Sequence, residues 1–91
     1  MRVRWTLEAA ADLEQIKDYL EEHNPRLAQS TVVELYQTIR SLKSMSHRGR
    51  IGSAEGTREL ILTRLPFVVI YRIAYATVEV LHIYHSAQNW R

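Results

Sequence analysis

The sequence predicts an α+β domain of order β-α-α-β-β-β, with a helical hairpin packed on one face of a small, mainly antiparallel sheet. Three observations predict it: two apolar stripes at helical spacing in the first half, an Asn-Pro break between them, and three β-rich runs in the second half. The 91 residues make one domain, 1–91, because a chain this short buries only about 60–65% of its unfolded surface and has no room for a second core.

Val3 and Trp5 open the chain as a short strand with Arg2 and Arg4 interleaved. Thr6 is placed to cap a helix, and Glu8 suits the positive end of its dipole. Along that helix Ala9, Leu13, Ile16 and Leu20 repeat at i, i+4, i+7 and i+11, with Glu8, Glu14, Asp18, Glu21 and Glu22 largely off the stripe. Asn24-Pro25 breaks it: proline disfavours a helical Asn24, and Pro25 fits the first turn of a second helix that Asn24 can cap. The second stripe is Ala28, Val32, Leu35, Ile39 and Leu42, ending near Met45-Ser46. So short a link folds the two helices into an antiparallel hairpin. Burying each Leu or Ile is worth about 1.5–3 kcal/mol, so the joint apolar face needs a cover that the hairpin alone does not supply.

Residues 59–64, 67–73 and 77–85 supply that cover as an antiparallel meander rich in Leu, Ile, Val, Phe and Tyr. Phe67-Val68-Val69-Ile70-Tyr71 is apolar at both parities, as a central strand covered on both sides requires. The flanking runs alternate and are read as the outer strands, leaving the second sheet face for function. Among the aromatics, Trp5, Phe67 and Tyr71 are assigned to the core.

Composition excludes several function classes. With zero cysteines there is no disulfide, thiolate metal site or thiol nucleophile. Glycines stand only at 49, 52 and 56, which leaves no Walker-type or dinucleotide loop, and no Ser/His/Asp or paired-carboxylate signature can be assembled. No cofactor or metal is expected. The N-terminus passes straight into an acidic helical pattern, and no apolar run reaches the roughly 18 residues of a membrane span, so a cytoplasmic chain with no membrane partner is expected.

The net charge of +2 is unevenly placed. Residues 1–39 carry four Lys/Arg against seven Asp/Glu, or −3, whereas residues 40–72 carry seven against two, or +5. The basic half therefore marks where a polyanionic or acidic partner is sought. Arg50 lies in its polar loop, Arg58 and Arg64 share parity on the first strand of the meander, and Arg72 is on the central strand, so a cationic sheet face or rim is expected. The planar guanidinium fork suits phosphate and carboxylate. His82 and His85, three apart in a strand, point to opposite faces and do not share a metal. His23 ends the first helix, where a cation suits the dipole, and His47 in the basic loop has no assigned role. His85, beside Tyr84 at the end of the last strand, is either an acid/base or a strand terminator.

The ordered series Trp5-Thr6, Ala9, Asp12-Leu13, Ile16, Tyr19, Asn24-Pro25, Ala28, Gly49-Arg50, Gly56-Thr57-Arg58-Glu59-Leu60, Pro66-Phe67-Val68-Val69-Ile70-Tyr71-Arg72, Val78-Glu79-Val80-Leu81-His82-Ile83-Tyr84-His85 and Trp90 resembles the RelE/ParE toxin superfamily along essentially the whole chain. The resemblance implies a bacterial type II toxin, neutralised by a cognate antitoxin whose C-terminal segment wraps it. RelE-type toxins cut messenger RNA on the ribosome with basic strand residues and a C-terminal Tyr or His-Tyr pair, whereas ParE-type toxins poison DNA gyrase. Here Val68 stands where active RelE-like members carry an arginine, and Glu59 and Ile61 stand where they carry a lysine pair. A phosphate-cleaving centre without its cations loses its largest electrostatic contribution.

The chain thus looks closer to ParE, an inhibitor of gyrase and not an enzyme. Arg50, Arg58, Arg64, Arg72, His85 and Trp90 are its expected target-binding residues. On the alternative, a ribosome-dependent endoribonuclease acting on mRNA, His85, Arg58, Arg64 and Tyr84 form a relocated catalytic centre. A third reading is a non-toxic nucleic-acid-binding or adaptor domain, which the basic middle section alone suggests.

Overall fold

The computed structural model describes residues 1–62 and 64–86. In chain order these form strand β1 (Arg2–Trp5), helices α1 (Leu7–His23) and α2 (Pro25–Arg40), a 3₁₀ turn at Ser41–Lys43, and strands β2 (Arg50–Ile51), β3 (Arg58–Ile61), β4 (Phe67–Ala74) and β5 (Thr77–His85). The sheet runs β1-β5-β4-β3-β2. Every neighbouring pair is antiparallel except β1 with β5.

Local signals in the sequence account for the helical layer. The Thr6 hydroxyl accepts the Ala9 N–H at 3.1 Å, capping α1, and donates to the Val80 carbonyl at 2.7 Å, so one side chain joins helix start to sheet. Asn24 serves both helices: its N–H donates to the Leu20 carbonyl at 2.7 Å, and Pro25 opens α2. The cap is made by backbone, since the Asn24 side chain bonds no N–H of α2. Ala9, Ala28, Leu35, Ile39 and Leu42 are buried as the stripes require, and Thr31 joins them. The second helix stops at Arg40, and Leu42 reaches the core from the 3₁₀ turn instead.

Cross-strand register sorts the sheet into two faces. Leu60, Phe67, Val69, Tyr71, Val78, Val80 and Ile83 meet Leu35 and Ile39 beneath the hairpin. Glu59, Ile61, Val68, Ile70, Arg72, Glu79 and Tyr84 point the other way. All five residues of the central apolar run are buried. The flanking strands of the meander are not the outer ones: β1 lies outside β5, and the two-residue β2, absent from the sequence reading, lies outside β3. A register shift opposite Ile70 and Tyr71 places Leu81 between His82 and Val80, and so keeps Val80 and Ile83 on the core side despite their odd separation.

The β4–β5 hairpin turns through Tyr75 and Ala76 at φ 54° and 59°. Two-residue hairpin turns of this hand need positive φ at both positions, which costs a non-glycine residue about 1 kcal/mol or more. Ala76→Gly is therefore expected to raise the unfolding free energy by about 1 kcal/mol in urea denaturation, with the backbone unchanged.

Candidate functional site

The face turned away from the helices carries two ion-pair clusters held by buried carboxylates. On one side the Glu59 Oε1 accepts from the Arg50 guanidinium at 2.9 and 3.2 Å. On the other, Glu79 accepts from Arg72 Nε at 2.5 Å and from the Arg4 guanidinium. The carboxylate side chains are only 9% and 12% exposed, while each arginine keeps more than half of its side chain in solvent. Register explains the placement: Arg4 and Arg72 both stand opposite Glu79, and Arg50 opposite Glu59. The open face is therefore charged and largely offset, three arginines against two carboxylates, with each guanidinium gripping a carboxylate and Arg4 and Arg72 sharing one.

Tyr84 stands across from Val68 on the same face. Burial, helped by the nearby Glu59 carboxylate and opposed by Arg50, pushes its phenol above the ordinary value of 10.0. Tyr84 is thus a neutral O–H near pH 7 and supplies no phenolate base. The folded chain holds this proton more tightly than the unfolded chain does, so stability falls as pH rises above 10, where the unfolded phenol ionises first. Tyr84→Phe is expected to flatten that alkaline decline, followed by thermal melts at stepped pH, and to remove one late phenolate absorbance change at 295 nm.

The remaining sequence-chosen residues do not gather on this face, which corrects the expectation of a single cationic surface. Arg58 pairs with Tyr71 on the helix side, and its guanidinium donates to the Gly49 carbonyl at 2.8 Å and to that of His47 at 3.5 Å. There it pins the 47–49 loop. Arg64 lies beyond the end of β3 on an exposed bend. His85 pairs with Phe67, and their rings meet edge-on at 5.5 Å, so His85 and Tyr84 leave the strand on opposite sides. Arg50, Arg72 and Tyr84 do share a face; Trp90 lies outside the described residues.

A groove of about 780 Å³ runs between the hairpin and the ends of β4 and β5, walled by Ile16, Tyr19, Leu27, Phe67 and Ile83. β1 accompanies β5 only as far as Val80. Beyond it the Asp12 carboxylate of α1 accepts the Ile83 N–H at 2.9 Å and lies 3.1 Å from His82 Nδ1. Sequence reasoning passed over Asp12, His82, Glu59 and Glu79 as site-shaping groups because their partners are fixed only by tertiary register. Among the described residues no group of three His, Asp or Glu is placed to hold a metal, and no helix is long and apolar enough to cross a membrane.

Comparison with known proteins agrees with this architecture. The family described as "ParE toxin of type II toxin-antitoxin system, parDE" matches residues 3–90. The putative toxin Y4kP of Sinorhizobium fredii is 36% identical over 98% of this chain and 92% of its own length. Toxin RelE2 of Caulobacter vibrioides is also 36% identical, over 96% of this chain and 97% of its own. Among solved structures, one described as the chromosomal ParDE TA system from P. aeruginosa superposes with a TM-score of 0.86 at 30% identity, covering 93% of this chain and 95% of that one. The toxin–antitoxin complex RelBE2 of Mycobacterium tuberculosis follows at 0.61 and 27%, covering 96% and 92%.

Proposed function

The chain belongs to the ParE toxin family of type II toxin–antitoxin systems, and from that membership we propose that it stops growth by binding and poisoning DNA gyrase, without itself cutting nucleic acid. One observation carries the choice of a binding mechanism: the open face holds its cations in carboxylate pairs. Arg50 lies on Glu59, and Arg4 and Arg72 lie on Glu79. Phosphoryl transfer needs uncompensated positive charge where the phosphate becomes more negative, and the cation near Tyr84, Arg50, is offset by the Glu59 carboxylate. Val68, Glu59 and Ile61, at the positions where the RelE branch carries cations, share that same face. The carboxylate-bound arginines and Tyr84 are then contact groups for a protein target, whose carboxylates compete for the exposed flanks of the guanidinium groups.

The partner that restrains the toxin is a cognate antitoxin, as in the ParDE and RelBE2 systems. The apolar groove beneath the hairpin is its proposed seat, taking an amphipathic segment that folds as it binds. The proposed action is cytoplasmic. The test is a supercoiling assay with purified gyrase and increasing toxin: loss of supercoiling with trapped DNA breaks, relieved by antitoxin, is the expected result. Unaltered supercoiling at saturating toxin, together with cleaved message on a programmed ribosome, would overturn the proposal in favour of an endoribonuclease.

A further inference from the structure

A second cleft, of about 380 Å³, lies at the opposite end of the hairpin, between β1 and the end of α2. Its rim holds Arg2, Arg40 and Lys43, and its wall holds Trp5 and Tyr36. No carboxylate lines it, although the helices beside it carry most of the acidic side chains of the chain. All three cations are exposed, and none joins an ion pair among the described residues. This sets the cleft apart from the open face, where Arg4, Arg50 and Arg72 each contact a carboxylate. Arg40, in the last turn of α2, suits the helix dipole, but that account does not extend to Arg2 on a strand or to Lys43 beyond the helix. The Met1 nitrogen donates to the Lys43 carbonyl at 3.0 Å, fixing the start of β1 against the turn that bears Lys43.

The wall is as informative as the rim. Trp5 and Tyr36 stack with ring centroids 5.8 Å apart and planes inclined by 19°, while Tyr36 remains 54% exposed. An aromatic ring held flat by a neighbour and still open to solvent is a ledge for another flat ring. Cations alone would suit an acidic peptide as well as a phosphate. A ring ledge beside cations suits a ligand that alternates flat rings with negative charge, as a nucleic acid strand with unpaired bases does.

We propose that the Arg2–Arg40–Lys43 cleft binds single-stranded nucleic acid, with one base stacked on Tyr36 and the flanking phosphates on the three cations. Of the three cations only Arg2 shares the strand parity of Arg4 on the open face; the groove lies at the other end of the hairpin, and the test uses no gyrase, so its outcome is independent of the gyrase result. The probe is a fluorescent twelve-base oligodeoxyadenylate read by anisotropy against the purified full chain, beside an abasic strand of the same charge and a polyglutamate competitor.

Binding is expected to weaken with salt, at a log–log slope of about −2 for three contacts on a single strand. Charge reversal by Arg40→Glu with Lys43→Glu is expected to weaken both strands at least about ten-fold. Tyr36→Ala is expected to weaken the adenylate strand about ten-fold and leave the abasic strand unchanged. Circular dichroism confirms folding of each variant. Where charge reversal disturbs it, Arg2→Gln with Lys43→Gln replaces that pair. Three results would overturn the proposal: no salt-sensitive binding, equal affinity for the two strands, or polyglutamate bound in their place with the same loss on charge reversal. The last would assign the cleft to an acidic polypeptide.

Discussion

Replacing Leu35 with alanine is expected to lower the free energy of unfolding by about 3–5 kcal/mol. Leu35 is fully buried at the centre of α2, and belongs to the same core as Ala9, Ile39, Val69 and Tyr71. Truncation removes the transfer contribution of three carbons and leaves a space that a helix, tied to β4 and β5 on one side and α1 on the other, closes only in part. A domain of this size has about 5–15 kcal/mol to lose, so the variant retains little margin at 37 °C. Leu35→Met keeps the volume, and is expected to cost less than about 1.5 kcal/mol. Urea melts followed by far-ultraviolet circular dichroism distinguish the two. A loss below 1 kcal/mol for Leu35→Ala would mean that the hairpin does not rest on the sheet as described.

The second large effect is expected from a single oxygen. Tyr71 is fully buried on β4, and its hydroxyl donates to the Ser46 carbonyl at 2.7 Å while accepting the Gly49 N–H at 2.8 Å. It therefore anchors the loop that leads to Arg50 from beneath. Tyr71→Phe leaves a buried N–H and a carbonyl without that partner, at a cost of about 2 kcal/mol. The loss should be local as well as global: the Gly49 amide is expected to exchange with solvent much faster in the variant, measured by hydrogen–deuterium exchange, while amides of β4 keep their protection. Gly49→Ala attacks the same joint by another route. A Cβ there would lie 2.8 Å from the Tyr71 ring, so the ring or the loop has to move. Unchanged exchange at Gly49 in Tyr71→Phe would show that the contacts of Arg48 and Arg58 hold the loop without the hydroxyl.

The fold was legible in the sequence wherever the determining interaction is local. Thr6, the Asn24-Pro25 break, the two stripes and the three β-rich runs all act within a few residues, and each element appears, though α2 stops at Arg40 short of Met45 and β3 ends at Ile61 short of Arg64. What sequence could not supply was register. Whether Arg72 faces a carboxylate depends on Glu79 arriving opposite it after a hairpin turn, and whether Arg50 is compensated depends on β2, a strand of two residues with no periodicity to read. Arg58 and Arg72 were grouped by charge, yet pairing with Tyr71 sends one to the helix side and pairing with Glu79 sends the other away. Asp12 illustrates the same limit from the other end: as one more acid on an acidic helix it is unremarkable, until the Ile83 N–H is seen to need an acceptor. Residues whose meaning is set by a partner seventy positions away are readable only once the chain is closed.

That closure has a temporal side. The first strand lies parallel to the last, with Arg2 opposite Thr77 and Trp5 opposite Val80, and the Thr6 hydroxyl meets the Val80 carbonyl. The sheet partners of β1 thus lie far along the chain, and β1 cannot join the sheet until they have been made. The helical hairpin can form early from local contacts, whereas completing the sheet requires closing a loop of most of the chain, the step that slows folding most. A chain cut short before Thr77 has no partner for β1 and no finished sheet. A fragment that stops short of β5 lacks the open face as well, because Glu79, the carboxylate that holds Arg4 and Arg72, is missing from it.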